Sequence, residues 1–223
     1  MIEQELKYLV SRSEFETLLH YFVISSFRTV TYAMHNYYFD TPSFDLLRTG
    51  VSLRLRSRDG IWFCTYKCRI KGKLFIQRRH GALINEEYED LVDTALAESI
   101  IRGERSFFDI PFDFLEQLKK DLELTPETWD CVRCFGGMKV TRTKTTIIPY
   151  AVPLECDHVV YDDGEEEFEI ESETDNLMLA ESVIGTLFRQ NGIDVRPNAT
   201  PKIIRFLARS NPDPAVLSEW NES

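Results

Sequence analysis

Short stretches of this chain alternate between apolar and polar residues, a pattern that is typical of half-buried β-strands. In Val51–Arg58, for example, Leu53 and Leu55 alternate with arginines. The stretches with a strand-like pattern or composition are Met1–Val10, Val51–Arg58, Trp62–Ile70, Lys73–His80, Met138–Ile147, Val152–Tyr161 and Glu165–Glu173.

Other stretches carry apolar residues at helical spacing. Ser13 and Glu16 form a capping-box pattern ahead of the first such stretch, which contains Phe15 and Phe22. The remaining predicted helices are Asp90–Gly103, Pro111–Leu122, one that begins at Thr125 and Pro126, Asn176–Gln190, and one that begins at Thr200 and Pro201. The chain has no internal repeat and no evident linker. The order of its elements predicts one α+β domain, residues 1–223, built on an antiparallel sheet.

Three charged residues alternate in the first predicted strand. Glu3, Glu5 and Lys7 would share one face, because successive side chains of a strand point to opposite faces. Two carboxylates and one ammonium group make a poor apolar core, but they suit a site for a metal ion and a phosphate group. A solvated strand face would show the same pattern.

Cationic side chains form rows along several other strands. A solvated sheet face would carry mixed charges, whereas rows of like charge repel one another unless an anion lies between them. We therefore favour an anion-binding interior, since arginine and lysine are the usual partners of polyphosphates. The residues of these rows are Arg54, Arg56, Arg58, Lys67, Arg69, Arg78, Arg79, Arg142 and Lys144.

An acidic row lies near the C-terminal half. Glu167, Glu169, Glu171 and Glu173 alternate with Phe168 and Ile170, and Asp157 lies in the preceding strand. Together with the carboxylates of the first strand, these oxygens could hold one or two Mg²⁺ or Mn²⁺ ions. A solvated strand edge could also carry such a row.

The amino-acid composition limits the kinds of molecule that the protein is expected to bind and the compartment in which it is expected to lie. The net charge of −11 argues against binding to nucleic acid or anionic membranes. No apolar run has the length of a membrane span, and no secretory signal precedes the first strand. The five scattered cysteines indicate a reducing compartment, hence the cytosol. Cys131 and Cys134 form one CxxC pair, for which unligated thiols are favoured over zinc or redox use.

The residues resemble the CYTH superfamily, also called triphosphate tunnel metalloenzymes. Glu3-x-Glu5-x-Lys7 matches the ExExK signature of that family, and the resemblance continues in the family's order along the chain. The further matching segments are Tyr37–Pro42, Leu53–Arg56, Thr65–Lys67, Arg78, Arg142, Asp157, Glu169-x-Glu171 and Lys202–Arg205.

The resemblance implies a closed, eight-stranded antiparallel β-barrel with a polar interior and helices packed outside. It implies a small-molecule triphosphate in the tunnel and a Mg²⁺ or Mn²⁺ cofactor. The implied roles are as follows: Lys7, Glu5 and Glu171 act in catalysis; Glu3, Glu5, Asp157, Glu169 and Glu171 bind metal; and Lys7, Arg54, Arg56, Lys67, Arg78, Arg142, Lys144, Lys202 and Arg205 bind substrate.

The favoured activity is metal-dependent hydrolysis of inorganic tripolyphosphate. Thiamine triphosphate is the second candidate substrate, because Ala199–Leu207 resembles the corresponding end of thiamine triphosphatases. Trp62, Phe63, Tyr37 and Tyr38 are candidate contacts for an organic ring. Two further candidate functions are a class IV adenylate cyclase and a polyphosphate-binding module without turnover. The protein could be a monomer or a homodimer.

One position departs from the family pattern. Relatives often have a glutamate two residues after the arginine of the fifth strand, and here His80 follows Arg78 at that spacing. The loss of a carboxylate there could change metal affinity, pH dependence or substrate choice, but an ordinary histidine at a strand end is the favoured interpretation.

Overall fold

The computed structural model describes residues 2–69, 82–122, 124–198 and 200–209. Arg78, His80 and the predicted strand Lys73–His80 lie outside these residues. The described strands are β1 (Ile2–Val10), β2 (Val30–Asp40), β3 (Val51–Arg58), β4 (Ile61–Arg69), β5 (Ala82–Val92), β6 (Arg133–Ile147), β7 (Val152–Tyr161) and β8 (Glu166–Glu173). The described α-helices are α1 (Arg12–Ile24), α2 (Asp45–Arg48), α3 (Thr94–Ile101), α4 (Asp113–Asp121), α5 (Pro126–Asp130), α6 (Leu177–Gln190) and α7 (Lys202–Arg209).

The eight strands form a closed antiparallel barrel in the order β1-β5-β4-β3-β2-β6-β7-β8. The expected barrel is therefore confirmed. The strand β1 closes it by pairing with β5 on one side and with β8 on the other. Because strands alternate their side chains, each strand gives one row to the interior and one to the outside.

The outward rows are apolar and pack against helices. Leu6 and Tyr8 of β1 belong to a buried cluster that includes residues of α1 and α6. Leu53 and Leu55 of β3 belong to a second cluster, with residues of α3 and α4. The inward rows of β1 and β3 are the charged rows described above, so the apolar contacts that hold the barrel together leave its charged interior free for a ligand.

The helix α7 covers one end of the barrel. The ring of Phe206 lies 6.4 Å from Tyr38, at the end of β2, and 6.2 Å from Tyr161, at the end of β7. Gly136 permits this approach, because a Cβ atom there would lie 2.5 Å from the Phe206 ring. Met34 and Val140, which also line the barrel interior, belong to the same apolar cluster as Phe206.

The first predicted helix has a different cap from the expected one. The capping box of α1 is formed by Ser11 and Glu14, not by Ser13 and Glu16. Both pairs have the same spacing, and β1 ends at Val10, so Ser11 is the first residue free to cap the helix.

The expected helix Asp90–Gly103 is too long at its start. β5 continues through Val92, and Asp93 caps α3 by accepting a hydrogen bond from the Leu96 amide at 3.0 Å. The predictions for α4 to α7 agree with the structure within two residues at each described end. No helix among the described residues combines the length and the hydropathy of a membrane span.

Candidate active site in the barrel interior

Side chains from all eight strands and from the start of α7 surround a cavity of about 360 Å³ inside the barrel. A volume of this size is in the range of small-molecule sites. The predicted residues that line it are Glu3, Glu5, Lys7, Arg54, Arg56, Lys67, Arg142, Lys144, Asp157, Glu171 and Lys202.

The other predicted residues lie elsewhere. Glu169 is fully buried and Arg205 nearly so, and neither is among the residues that line the cavity, although Glu169 lies 2.7 Å from Lys202 Nζ. Arg205 donates to Glu167 at 2.7 Å and to Glu169 at 2.9 Å, so its described contacts tie α7 to β8. Arg78 lies outside the described residues.

Glu171 is the centre of the first charge cluster. Its carboxylate accepts from Lys7 Nζ at 2.5 Å, from Lys202 Nζ at 2.6 Å and from Arg142 Nη2 at 2.6 Å. The strand register explains the first of these contacts, because Lys7 lies directly opposite Glu171. Arg142 lies opposite Asp157 on the neighbouring strand β7, and its guanidinium also reaches Glu171. Burial alone would raise the pKa of Glu171, but these three cations hold it well below its usual value.

Asp157 completes this cluster. Arg142 donates to it through Nε at 2.7 Å and through Nη2 at 2.6 Å, and Lys202 Nζ lies 2.8 Å away. Burial opposes the charge of Arg142, yet the attraction of Asp157, Glu155 and Glu171 raises its pKa well above the ordinary value. Pairing of opposite charges therefore favours the ionised form of the groups in the first cluster.

Lys67 is the centre of a second cluster. Its Nζ lies 2.5 Å from Glu3 and 2.9 Å from Glu87, and Glu5 is 3.9 Å away. Burial, and then repulsion by Glu5, raises the pKa of Glu3 to about 8. Lys7 joins the two clusters, because its Nζ is 3.1 Å from Glu5 and 2.5 Å from Glu171.

Two further arginines of β3 face the cavity. Arg54 donates to Thr65 at 3.1 Å and lies 3.4 Å from Glu87. Arg56 donates from Nε to the side-chain oxygen of Asn36 at 2.7 Å. Burial, then repulsion by Arg54 and Arg142, lowers the pKa of Arg56 to about 10.

Several interior residues were missed from the sequence. They are Asn36, Glu87, Glu89 and Glu155. The alternation of Asn85, Glu87 and Glu89 was a usable signal for a strand with an acidic inner face, but the intervening Glu86 and the following Asp90 concealed it. Glu155 lies two residues before Asp157 and could have been found from that spacing.

The candidate contacts for an organic ring divide between the two faces. Tyr38 lines the cavity, and the Phe63 ring lies 4.5 Å below the guanidinium of Arg58, which also lines it. Tyr37 and Trp62 belong to an outer core cluster, where their rings are 5.9 Å apart. Packing is therefore their role.

The donor set suits a hard divalent cation. Within the described ranges, no three Asp, Glu, His or Cys side chains form a ready-made metal site, because the carboxylates face ammonium and guanidinium groups. Their oxygens are nevertheless the ligands that Mg²⁺ and Mn²⁺ prefer. Glu169 Oε1 is buried and has no hydrogen-bond partner among the described residues. The residues present therefore fit a Mg²⁺ or Mn²⁺ ion.

Comparison with known proteins agrees with this geometry. The family model described as the CYTH domain matches residues 1–194. The chain belongs to the CYTH family. The match stops before α7, so Lys202 lies outside the matched region of this CYTH protein although it contacts Glu171.

Solved structures share the CYTH fold at low sequence identity. HpAC1 from Hippeastrum, an adenylyl cyclase candidate with a dominant triphosphatase activity, is 21% identical with a TM-score of 0.79, over 93% of this chain and 96% of that one. The adenylate cyclase candidate bh2851 of Bacillus halodurans is 22% identical with a TM-score of 0.70, over 91% and 95%. The chain matches none of the curated proteins with which it was compared.

Proposed function

We propose that this CYTH protein hydrolyses a triphosphate, with inorganic tripolyphosphate as the favoured substrate and Mg²⁺ or Mn²⁺ as the cofactor. The observation that carries the proposal is the convergence of cations from β1, β3, β4, β6 and α7 on a single cavity. Neutralising a triphosphate requires such a set, since its negative charges are spread along three linked phosphates.

The cations would act by exchanging partners. Lys7, Lys202 and Arg142 are paired with Glu171 in the structure. A phosphate chain would take over these cations, and the released carboxylates would face the same ligand. Glu171, Glu169 and Asp157, with Glu3 or Glu5, would then hold the metal. A bound divalent metal supplies charge neutralisation at the phosphate oxygens.

The remaining chemistry is the transfer of one phosphoryl group to water. A water oxygen forms a bond to the terminal phosphorus while the bridging P–O bond breaks, and pyrophosphate leaves with that electron pair. Glu5 would accept the proton of the water, and Lys7, 3.1 Å from Glu5, would neutralise charge on the phosphoryl group.

A phosphate-release screen tests the proposal. Tripolyphosphate, thiamine triphosphate and ATP are each supplied with Mg²⁺, with Mn²⁺ and with excess EDTA, and cyclic AMP is measured in the ATP reactions. We expect metal-dependent release of phosphate, highest with tripolyphosphate. Higher release from thiamine triphosphate would identify thiamine triphosphate as the preferred substrate. Cyclic AMP as the main product would indicate an adenylate cyclase, and binding without turnover would indicate a polyphosphate-binding module.

The variant Arg56→Ala and the matched control Arg102→Ala sharpen the screen. Arg102 is an exposed cation beyond the barrel that pairs with Glu104. We expect loss of phosphate release only in Arg56→Ala. Equal activity of the two variants would mean that the released phosphate does not arise in the barrel cavity.

The cytosolic location remains a prediction from cysteine usage, and tagged protein in fractionated cells would test it. The choice between monomer and homodimer remains open to light scattering.

A further inference from the structure

Most cations that line the cavity are paired with acidic side chains. Each cation of this group has a carboxylate oxygen within 4 Å: Lys7, Arg54, Lys67, Arg142, Lys144 and Lys202. Arg56 and Arg58 differ, since neither has such a carboxylate among the described residues. Arg58 lies over the rings of Phe63 and Tyr32, near the ends of their strands. Arg56 is held by a neutral amide instead.

The amide that holds Arg56 belongs to Asn36. Asn36 is only 1% exposed and lies directly opposite Arg56 in the register of β2 and β3. A guanidinium group has only donors, so Asn36 must present its oxygen to Nε, which it does at 2.7 Å. This bond uses the inner nitrogen and leaves the two terminal nitrogens of Arg56 without a hydrogen-bond partner in the described part of the chain.

The strand β6 packs closely against the backbone of Asn36. A Cβ atom on Gly137 would lie 2.4 Å from the Asn36 carbonyl oxygen. Only glycine therefore lets β6 pack this closely against β2 at Asn36. The amide oxygen that faces Arg56 thus projects from a fixed point of the barrel wall, which makes it a suitable anchor.

The neutrality of the anchor matters as much as its position. An aspartate would fit the same space, because Asn and Asp differ only in the terminal atom of the side chain. It would form a paired hydrogen bond with the guanidinium and cancel its charge. With asparagine, Arg56 keeps no carboxylate of the described residues within 4 Å, and the repulsion by Arg54 and Arg142 exceeds the attraction by the more distant Glu89.

We propose that Asn36 is a positioning residue, which orients Arg56 without giving it a carboxylate partner, so that its terminal nitrogens receive a phosphate group of the substrate. This role rests on the proposed function. Arg56 can therefore bind a phosphate group without first losing an ion pair. Each cation that is paired with a carboxylate must give up that acidic partner when a phosphate group binds.

The test compares Asn36→Asp and Asn36→Ala with the unaltered protein. Calorimetry measures the dissociation constant of tripolyphosphate in EDTA, and thermal melts measure stability with and without this ligand. We expect Asn36→Asp to weaken binding roughly ten- to a hundredfold, the scale of a hydrogen bond to a charged group. The same variant should melt at a higher temperature than the unaltered protein without ligand, because Arg56 gains a charged partner.

A purely structural role predicts the opposite combination. If Asn36 only packs β2, then Asn36→Asp lowers the melting temperature and leaves the dissociation constant unchanged, which overturns the proposal. A double-mutant cycle adds a second criterion. On the Arg56→Ala background, Asn36→Ala should cause no further loss of affinity, and an additive loss would show that Asn36 does not act through Arg56.

The outcomes separate this role from the proposed function. Failure of the unaltered protein to bind tripolyphosphate would refute both. Tight binding that both Asn36 variants retain in full would refute the role of Asn36 and leave the triphosphate site intact. If turnover is measured as well, the KM should rise far more than kcat falls, since Asn36 itself contacts no reacting atom.

Discussion

Replacing Glu171 with glutamine tests whether buried acidic side chains neutralise the cations of the barrel interior when no anion is bound. The carboxylate of Glu171 is 4% exposed and lies within 2.6 Å of three cations, Lys7, Lys202 and Arg142. Glutamine keeps the shape and removes the charge. Removal of one partner from a buried ion pair costs about 3–5 kcal/mol of unfolding free energy. Here one charge is withdrawn from three buried cations, and their remaining carboxylates, which include Glu5 and Asp157, compensate for it only in part.

The size of the chain converts this cost into a melting temperature. About 2–4 °C is lost for each kcal/mol in a protein of roughly 150–250 residues, so Glu171→Gln should melt about 6–20 °C below the unaltered protein. Saturating tripolyphosphate should remove most of this difference, since its oxygens would replace the missing carboxylate beside the same cations. Scanning calorimetry in EDTA, at constant ionic strength, measures both temperatures.

Glu173→Gln is the matched control. Glu173 lies two residues further along the same face of β8, is exposed, and forms no ion pair with a described residue. The carboxyl is nevertheless partly shielded from water by the barrel wall, and this desolvation, followed by repulsion from Glu155, raises the pKa of Glu173, so its replacement should leave the melting temperature unchanged or raise it. The reasoning is refuted if Glu171→Gln melts with the unaltered protein, or if tripolyphosphate leaves the difference between them untouched.

Four other predictions follow from the charges of the cavity. Arg56→Ala should weaken tripolyphosphate binding by roughly 1.5–3 kcal/mol in calorimetry and raise the melting temperature without ligand, since Arg54 and Arg142 lose a repelling neighbour; unchanged affinity would remove Arg56 from the site. The carboxyl of Glu3, with its pKa raised from 4.5 to about 8, should stabilise the metal-free protein fully below pH 4.5 and lose this contribution as pH rises through 8. Melts of Glu3→Gln should therefore show a flatter decline over that range, and parallel curves would contradict the shift. Phosphate release should stop in excess EDTA, and full turnover there would exclude a metal cofactor. Tripolyphosphate should raise the melting temperature more than pyrophosphate or orthophosphate does. At a hundredfold excess over its dissociation constant it should add about 2.7 kcal/mol to the free energy of unfolding. Equal shifts in melting temperature for the three anions would indicate simple charge screening.

The charged strands could be predicted because their inward side chains are charged and their outward side chains are apolar. Arg54 and Arg56 alternate with Leu53 and Leu55, and the structure places the two sets on opposite faces of β3. The closed barrel was beyond the reach of periodicity, since an open sheet gives the same alternation. It came from the resemblance to the CYTH family, which the family model confirms.

The cavity-lining residues that could not be predicted do not show this contrast between a charged inner row and an apolar outer row. In β5 both faces near Glu87 carry acidic residues, which concealed the alternation of Asn85, Glu87 and Glu89, and the start of α3 was assigned too early. Asn36 is a single neutral residue between aromatic and apolar neighbours, and its importance depends on the partner across the strand pair. Pairing between distant strands is set by the whole sheet, so sequence spacing could not reveal the contact with Arg56.

The closure of the barrel by β1 has a consequence for the synthesis of the protein. Lys7 and Glu171 are 164 residues apart in the chain, yet they are direct partners across β1 and β8. At about 5–20 residues per second, a ribosome that has made Lys7 adds Glu171 only about 8–33 s later. During that time the charged row of β1 has neither its β8 neighbour nor the cations of α7. The first strand to be made is thus among the last to be completed, and the ligand site forms only when the eighth strand has left the ribosome.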